Sequence, residues 1–197
     1  MTEPAPFVLV AAGGTGGHLF PAQALSVALR ARGVTVDLAT DERAVHYGHD
    51  FPARETHILP SATLRGRNPV AIARTVGTLA LGVAKAWSLL GRLQPDAVVG
   101  FGGYPTVPPV LAASLRGIPT VLHEQNGVMG RANKFLSGRV TAIASSMRSV
   151  AGVSERLRAK TTFTGNPVRP NVIAAAAVPY APPVADGPLN LLVFGGS

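Results

Sequence analysis

The sequence predicts an α/β protein on a Rossmann-like, doubly wound parallel sheet. Two observations carry that expectation. Apolar, β-rich runs alternate with helix-patterned segments along most of the chain, the order that repeated βαβ units require. Two of those runs end in glycine clusters, Gly13–Gly17 and Gly100–Gly103, and glycine directly after a strand marks the crevice end of such a sheet.

The elements follow in order. Phe7–Ala12 reads as a buried strand, and Pro21–Arg32 as a helix with Pro21 in its first turn and Gly33 at its stop. Val34–Thr40 is a second strand and His57–Leu59 a short third. Pro69–Leu93 reads as one long helix. Asp96–Gly100 is a strand that runs into F-G-G-Y-P, Pro108–Arg116 is helical, and Ile118–Leu122 is a strand ending in H-E-Q-N. A helix around Met129–Leu136, a strand near Val140–Ser145 and an extended segment Thr162–Pro167 complete the series. Strands alternating with helices imply a parallel sheet covered on both faces.

Composition bounds the function. The 197 residues allow one or two domains with a sizeable core, and 47% hydrophobic against 14% charged residues excludes a disordered chain. Cysteine is absent, which removes disulfide and thiolate chemistry. The N-terminus M-T-E-P-A-P has no signal-peptide pattern, and no apolar run reaches ~18 residues, so a spanning helix is not expected. A net charge of +8 points to an anionic partner, either a phosphorylated substrate or an acidic membrane face. Scattered arginines and 6% aromatic residues lack the interleaving of a nucleic-acid surface, and no nucleic acid is expected.

The glycine loops suggest the chemistry. A loop between strand and helix exposes unsatisfied N–H groups and the positive end of the helix dipole to phosphate or sugar oxygens. A dinucleotide fingerprint would need a third glycine where Leu19 stands, although Asp37 or Asp41 could serve as its ribose-binding acid; no G-K-[ST] follows any glycine cluster. His18 closes the first loop where a helix begins. It either caps that helix or acts as a neutral proton acceptor. In H-E-Q-N, Glu124 is a candidate acid/base group and Asn126 a donor and acceptor for a ligand, unless the turn is satisfied internally.

On the long helix, Ile72, Val76, Leu79, Val83, Trp87 and Leu90 form one apolar stripe, expected to be buried. Opposite lie Arg74, Lys85 and Arg92 with Leu81, and Arg65 and Arg67 stand just upstream. That basic face suits an anionic lipid surface. Residues 174–188 hold four prolines in the ten positions from Pro179 to Pro188 and read as a linker. L-N-L-L-V-F-G-G-S at 189–197 then echoes F-V-L-V-A-A-G-G-T, so a second domain of the same type is expected to begin at Leu189, leaving 1–173 as the first.

G-G-T-G-G-H-L-F-P-A, F-G-G-Y-P-T, G-I-P-T-V-L-H-E-Q-N and G-N-P-V-R occur in the order and spacing of one family. The chain resembles the N-terminal half of the bacterial UDP-N-acetylglucosamine:N-acetylmuramyl-(pentapeptide) pyrophosphoryl-undecaprenol N-acetylglucosamine transferases. The resemblance implies a GT-B glycosyltransferase that makes lipid II from lipid I in peptidoglycan synthesis, by inverting transfer to the C4 hydroxyl of the muramyl sugar. It implies donor contacts at Thr15, Gly16, Gly17, Asn126, Arg169 and Ser197, and acceptor or diphosphate contacts at Gly13, Gly14, Gly102, Gly103 and Tyr104. His18 is the implied base or acceptor-orienting residue, with Glu124 second. No metal and no tightly bound cofactor is expected, UDP-N-acetylglucosamine being the donor substrate. The cytoplasmic membrane face and cell-wall or division proteins are the implied surroundings, with the 197 residues alone inactive.

Overall fold

The computed structural model describes residues 5–42, 51–63 and 68–179, with isolated positions beyond. Seven parallel strands form one sheet in the order β3-β2-β1-β4-β5-β6-β7. They are β1 (Phe7–Ala11), β2 (Thr35–Thr40), β3 (Thr56–Ile58), β4 (Ala97–Gly100), β5 (Thr120–Glu124), β6 (Ala142–Ser145) and β7 (Thr161–Phe163). The helices are α1 (Gly16–Arg30), α2 (Pro69–Leu93), α3 (Val107–Leu115), α4 (Arg131–Ser137), α5 (Glu155–Arg158) and α6 (Pro170–Ala175). This is the doubly wound class, with the order reversing between β1 and β4, where ligand crevices form.

Register explains why distant motifs meet. Ala11 pairs with Gly100, and Gly100 with Leu122. The first glycine loop, the second glycine loop and His123 therefore leave the sheet at one level. β5 runs two residues further than its sequence suggests, because β6 continues the ladder at His123 and Glu124.

One face packs Leu9, Val98, Leu122 and Ile143 under α2, α3 and α4. A fully buried leucine such as Leu122 contributes about 1.5–3 kcal/mol. The other face packs Val10, Val36, Leu38 and Phe101 under α1. Cover on that face is thinner than the expected two-sided sheet. Leu25 and Leu29 of α1 share an apolar cavity of about 300 Å³ with Val99, Val121 and Ala144.

Three local expectations change. α1 begins at Gly16 rather than Pro21, because extended Thr15 offers its carbonyl to the N–H groups of His18 and Leu19. Pro21 sits inside the helix and forgoes the bond to the Gly17 carbonyl. α5 and α6 were absent from the sequence reading, and α6 ends at Ala175, two residues inside the stretch read as a linker. The third change concerns α2, whose bounds match expectation. Its buried residues are Gly82, Ala86, Leu89 and Leu90, about 60° around the helix from the centre of the apolar stripe. Gly82 lies against the Pro60 carbonyl and the Pro108 ring, so a Cβ there has no room. Small residues let α2 approach α3, and the close approach sets the buried face. Ile72, Val76 and Trp87 are consequently exposed, Val76 by 59%.

Candidate active site

His18 stands in the first turn of α1, with its imidazole across the Gly102–Gly103 backbone. Both glycines have positive φ, 86° and 75°, a region that side-chain-bearing residues avoid. A Cβ on Gly102 would sit 3.3 Å from the ring's Cε1, and one on Gly103 3.1 Å from Cδ2. The second glycine loop is thus a seat for the histidine of the first. Nδ1 of His18 lies 3.3 Å from Oε1 of Gln125.

His123 and Glu124 are adjacent on β5 and project to opposite faces. His123 turns toward the α1 side, stacks against Phe101 with centroids 5.2 Å apart, and is 3% exposed. Its Nε2 lies 3.1 Å from the Gly165 carbonyl, and its Nδ1 3.0 Å from the amide nitrogen of Gln125. Burial lowers the His123 pKa below the ordinary histidine value, against opposing pulls from the Gly165 carbonyl and the Glu124 charge. Glu124 turns toward α4 and is 1% exposed. Oε1 accepts from the backbone and side-chain amides of Asn126 at 3.0 and 3.1 Å. Oε2 accepts from Gly130 N–H at 2.9 Å and Asn133 Nδ2 at 2.8 Å. Four donors hold the carboxylate, and they fix the exposed Asn126 with its amide nitrogen turned inward.

Around the N-terminus of α1, Thr15 makes no capping bond with its side chain, and the first turn carries no acid. The positive end of the helix is therefore uncompensated beside Gly16 and Gly17. Arg169, from the chain after β7, stacks its guanidinium 3.9 Å from the centroid of Phe20, whose ring covers Gly16. Gly13 is pressed between Thr40, Asp41 and Pro105, with Gly14 beside it, and half-buried Tyr104 opens a 3₁₀ turn leading into α3. Arg74, Leu81, Lys85 and Arg92 are exposed on α2. Arg65, Arg67 and Ser197 lie outside the described residues.

Asp37 does not reach this crevice. Both its oxygens take Arg54, at 2.9 and 2.8 Å, and Oδ2 also takes His57 at 2.9 Å. Burial pushes its carboxyl up, but Arg54 and His57 outweigh that and hold it below its ordinary value. Asp37, His57 and Glu55 make a group whose ligand atoms lie within 4.8 Å of one another, yet the Arg54 guanidinium already occupies the Asp37 carboxylate. A ribose-binding acid at Asp37 is thereby ruled out.

Sequence reasoning passed over three residues: Gln125, Asn133 and Phe20. Gln125 lay inside a motif already singled out. Asn133 carried only one signal, a buried-helix position occupied by an amide. Phe20 lay inside the first motif and is 40% exposed.

The depressed His123 pKa has a measurable consequence. Unfolded His123 takes up a proton near pH ~6.5, and folded His123 resists until lower pH. Stability is therefore complete above that value and is lost as pH falls from it toward the depressed folded pKa. Urea unfolding of the chain between neutral and mildly acid pH should show this loss, and His123→Phe should flatten the slope. Equal slopes in the two proteins would assign the loss to other groups.

Residues 8–145 match the glycosyltransferase family 28 N-terminal domain. The chain is 60% identical over 195 residues to the UDP-N-acetylglucosamine–N-acetylmuramyl-(pentapeptide) pyrophosphoryl-undecaprenol N-acetylglucosamine transferase of Rhodopseudomonas palustris BisA53, covering 99% of this chain and 52% of the relative. It is 57% identical over 198 residues to the transferase of that name from Methylobacterium nodulans, covering 53% of it. The crystal structure of Acinetobacter baumannii MurG superposes with a TM-score of 0.67 at 28% identity, over 83% of this chain and 46% of that one. The chain spans about half the length of these relatives. With the parallel sheet and its glycine-lined crevice, these likenesses give one conclusion: the chain belongs to glycosyltransferase family 28 and carries its N-terminal domain.

Proposed function

We infer that this chain is the acceptor-side half of an inverting glycosyltransferase that moves N-acetylglucosamine from UDP-N-acetylglucosamine to the C4 hydroxyl of lipid I. What supports this most is the meeting of His18 with both glycine loops at the crevice end of the sheet, in a chain so similar to transferases of that name. In this reading Gly13, Gly14, Gly102, Gly103 and Tyr104 meet the acceptor and its diphosphate. Thr15, Gly16, Gly17, Asn126 and Arg169 meet the donor, together with Ser197 and a second domain that follows a linker at 174–188.

The reaction then runs as a single displacement. The C4 hydroxyl attacks the anomeric carbon while its proton passes to a ring nitrogen of His18. The bond from that carbon to the diphosphate oxygen breaks, and its electron pair leaves on UDP. The open end of the α1 dipole and the Arg169 guanidinium stabilise the charge that develops. Glu124, with both oxygens occupied, acts by holding Asn126 rather than by taking the proton. No tightly bound cofactor is assigned to this half. The test is transfer of labelled sugar to a lipid I analogue by a fusion of this chain to the C-terminal half of the R. palustris BisA53 relative; a folded fusion that transfers nothing contradicts the reading.

Lipid I is membrane-borne, and α2 is suited to a membrane face on the cytoplasmic side. It is long and apolar enough to cross a bilayer, but its second half is packed on α3 and leads directly into β4. We assign it to lie on the surface rather than span. Val70 and Leu81 are exposed apolar residues on the same face as the exposed cations Arg74, Lys85 and Arg92. At about 1 kcal/mol per cation, Arg74→Glu with Lys85→Glu should weaken cosedimentation with anionic vesicles by about tenfold or more. Undiminished pelleting would move the contact elsewhere.

A further inference from the structure

We propose that Gln125 is a positioning residue that fixes which ring nitrogen of His18 is free to accept a proton, its own amide being oriented by His123 and the Gly165 carbonyl. The idea rests on His18 being the base of the transfer, but the geometry that carries it is independent of any substrate.

Two backbone carbonyls set the direction of the whole chain of hydrogen bonds. The side-chain nitrogen of Gln125 lies 3.1 Å from the carbonyl oxygen of His123. A carbonyl oxygen only accepts, so the group facing it is the amide NH₂, and the Gln125 carbonyl must face His18. That carbonyl also only accepts. The 3.3 Å contact with His18 Nδ1 is therefore made by an Nδ1–H donor, and the lone pair of neutral His18 is left on Nε2.

The far end is fixed in the same way. The Gly165 carbonyl, 3.1 Å from His123 Nε2, requires a proton on that nitrogen. Neutral His123 then presents a bare Nδ1, which accepts the second N–H of Gln125 at 3.0 Å. Gly165 has φ 75°, and a Cβ there would meet nothing within 4 Å. Its glycine is thus required by backbone conformation, not by space, in the G-N-P-V-R stretch that also carries Arg169. Every donor in the chain from Gly165 to His18 has one acceptor, and neither tautomer can change without leaving a carbonyl facing a lone pair. Carboxylates often orient a histidine base; here a neutral amide takes that position.

The test is two-bond ¹⁵N–¹H correlation of the histidine rings in the 197-residue chain, at a pH where imidazole is neutral, with His18 identified by its loss in His18→Gln. The wild-type chain should carry the His18 proton on Nδ1. Gln125→Leu should move it to Nε2, the nitrogen that free imidazole side chains favour in water, while the His57 signals stay in place as a check on folding. In the fusion enzyme, Gln125→Leu should lower kcat about tenfold or more with KM for UDP-N-acetylglucosamine unchanged. A wild-type His18 protonated on Nε2, or a tautomer indifferent to Gln125→Leu, overturns the proposal. So does full turnover by the leucine variant. A fusion that transfers no sugar while the spectra behave as described would instead count against the assigned reaction alone.

Discussion

His18→Ala in the fusion enzyme should lower kcat by about 10²–10⁴-fold and leave KM for UDP-N-acetylglucosamine within a few-fold. General-base catalysis acts only as the C4 hydroxyl loses its proton, so its removal appears in kcat rather than in donor binding. Folding should survive the change. The ring is half-buried and rests on glycines that demand nothing from it, and alanine is the best helix former for its place in α1. Initial rates at saturating acceptor give the comparison. A folded His18→Ala variant with near wild-type kcat would remove His18 from proton transfer and leave it a support for the second glycine loop.

Glu124→Ala should cost about 3–5 kcal/mol of stability. The carboxylate is buried and takes four N–H groups from Asn126, Gly130 and Asn133. Deleting it leaves those donors facing a cavity, and each buried unsatisfied donor costs about 1–3 kcal/mol, less what water recovers. Glu124→Gln should cost less, because one oxygen survives while its new NH₂ meets donors it cannot satisfy. Urea unfolding of the chain measures both. An alanine variant within about 1 kcal/mol of wild type would mean that water enters freely and that Glu124 is available to a substrate proton after all. Loss of sugar transfer in Glu124→Gln is expected too, through Asn126, whose orientation the carboxylate sets.

Much of this was legible in the residues. Alternation of apolar runs with helical patterns yields the parallel sheet, because that connectivity has few other solutions. The bounds of α2, Pro69–Leu93, were readable, and the structure adds that Asn68 caps its start by accepting from Val70 N–H at 2.9 Å. Its buried face was not readable. Hydrophobic periodicity weighs large side chains, whereas contact with α3 was decided by Gly82 and Ala86, which matter by being small. The start of α1 was missed for a related reason: glycines score as helix breakers, yet Gly16 and Gly17 are its first turn.

At the site, the sequence identified the stretches but not their division of labour. H-E-Q-N looked like one polar turn. Strand alternation instead sends His123 toward α1 and Glu124 toward α4, into two separate networks. Glu124 is a candidate base because it is a carboxylate at a strand end, and the four donors that hold it were not legible in that stretch. Gln125 attracted no notice because nothing in the stretch itself shows that His18, more than a hundred residues earlier, lies against its side-chain carbonyl. Its orientation comes from the His123 carbonyl and from His123 Nδ1, which is left bare by the Gly165 carbonyl forty residues away.

Sugar transfer itself is the most direct test of the account. The fusion of this chain to the C-terminal half of the BisA53 relative is given labelled UDP-N-acetylglucosamine and a lipid I analogue, with the intact relative assayed alongside. Label should pass to the lipid with one UDP released for each sugar, and the transfer should collapse in His18→Ala. A folded fusion that leaves the donor untouched while the intact relative consumes it would contradict the assignment.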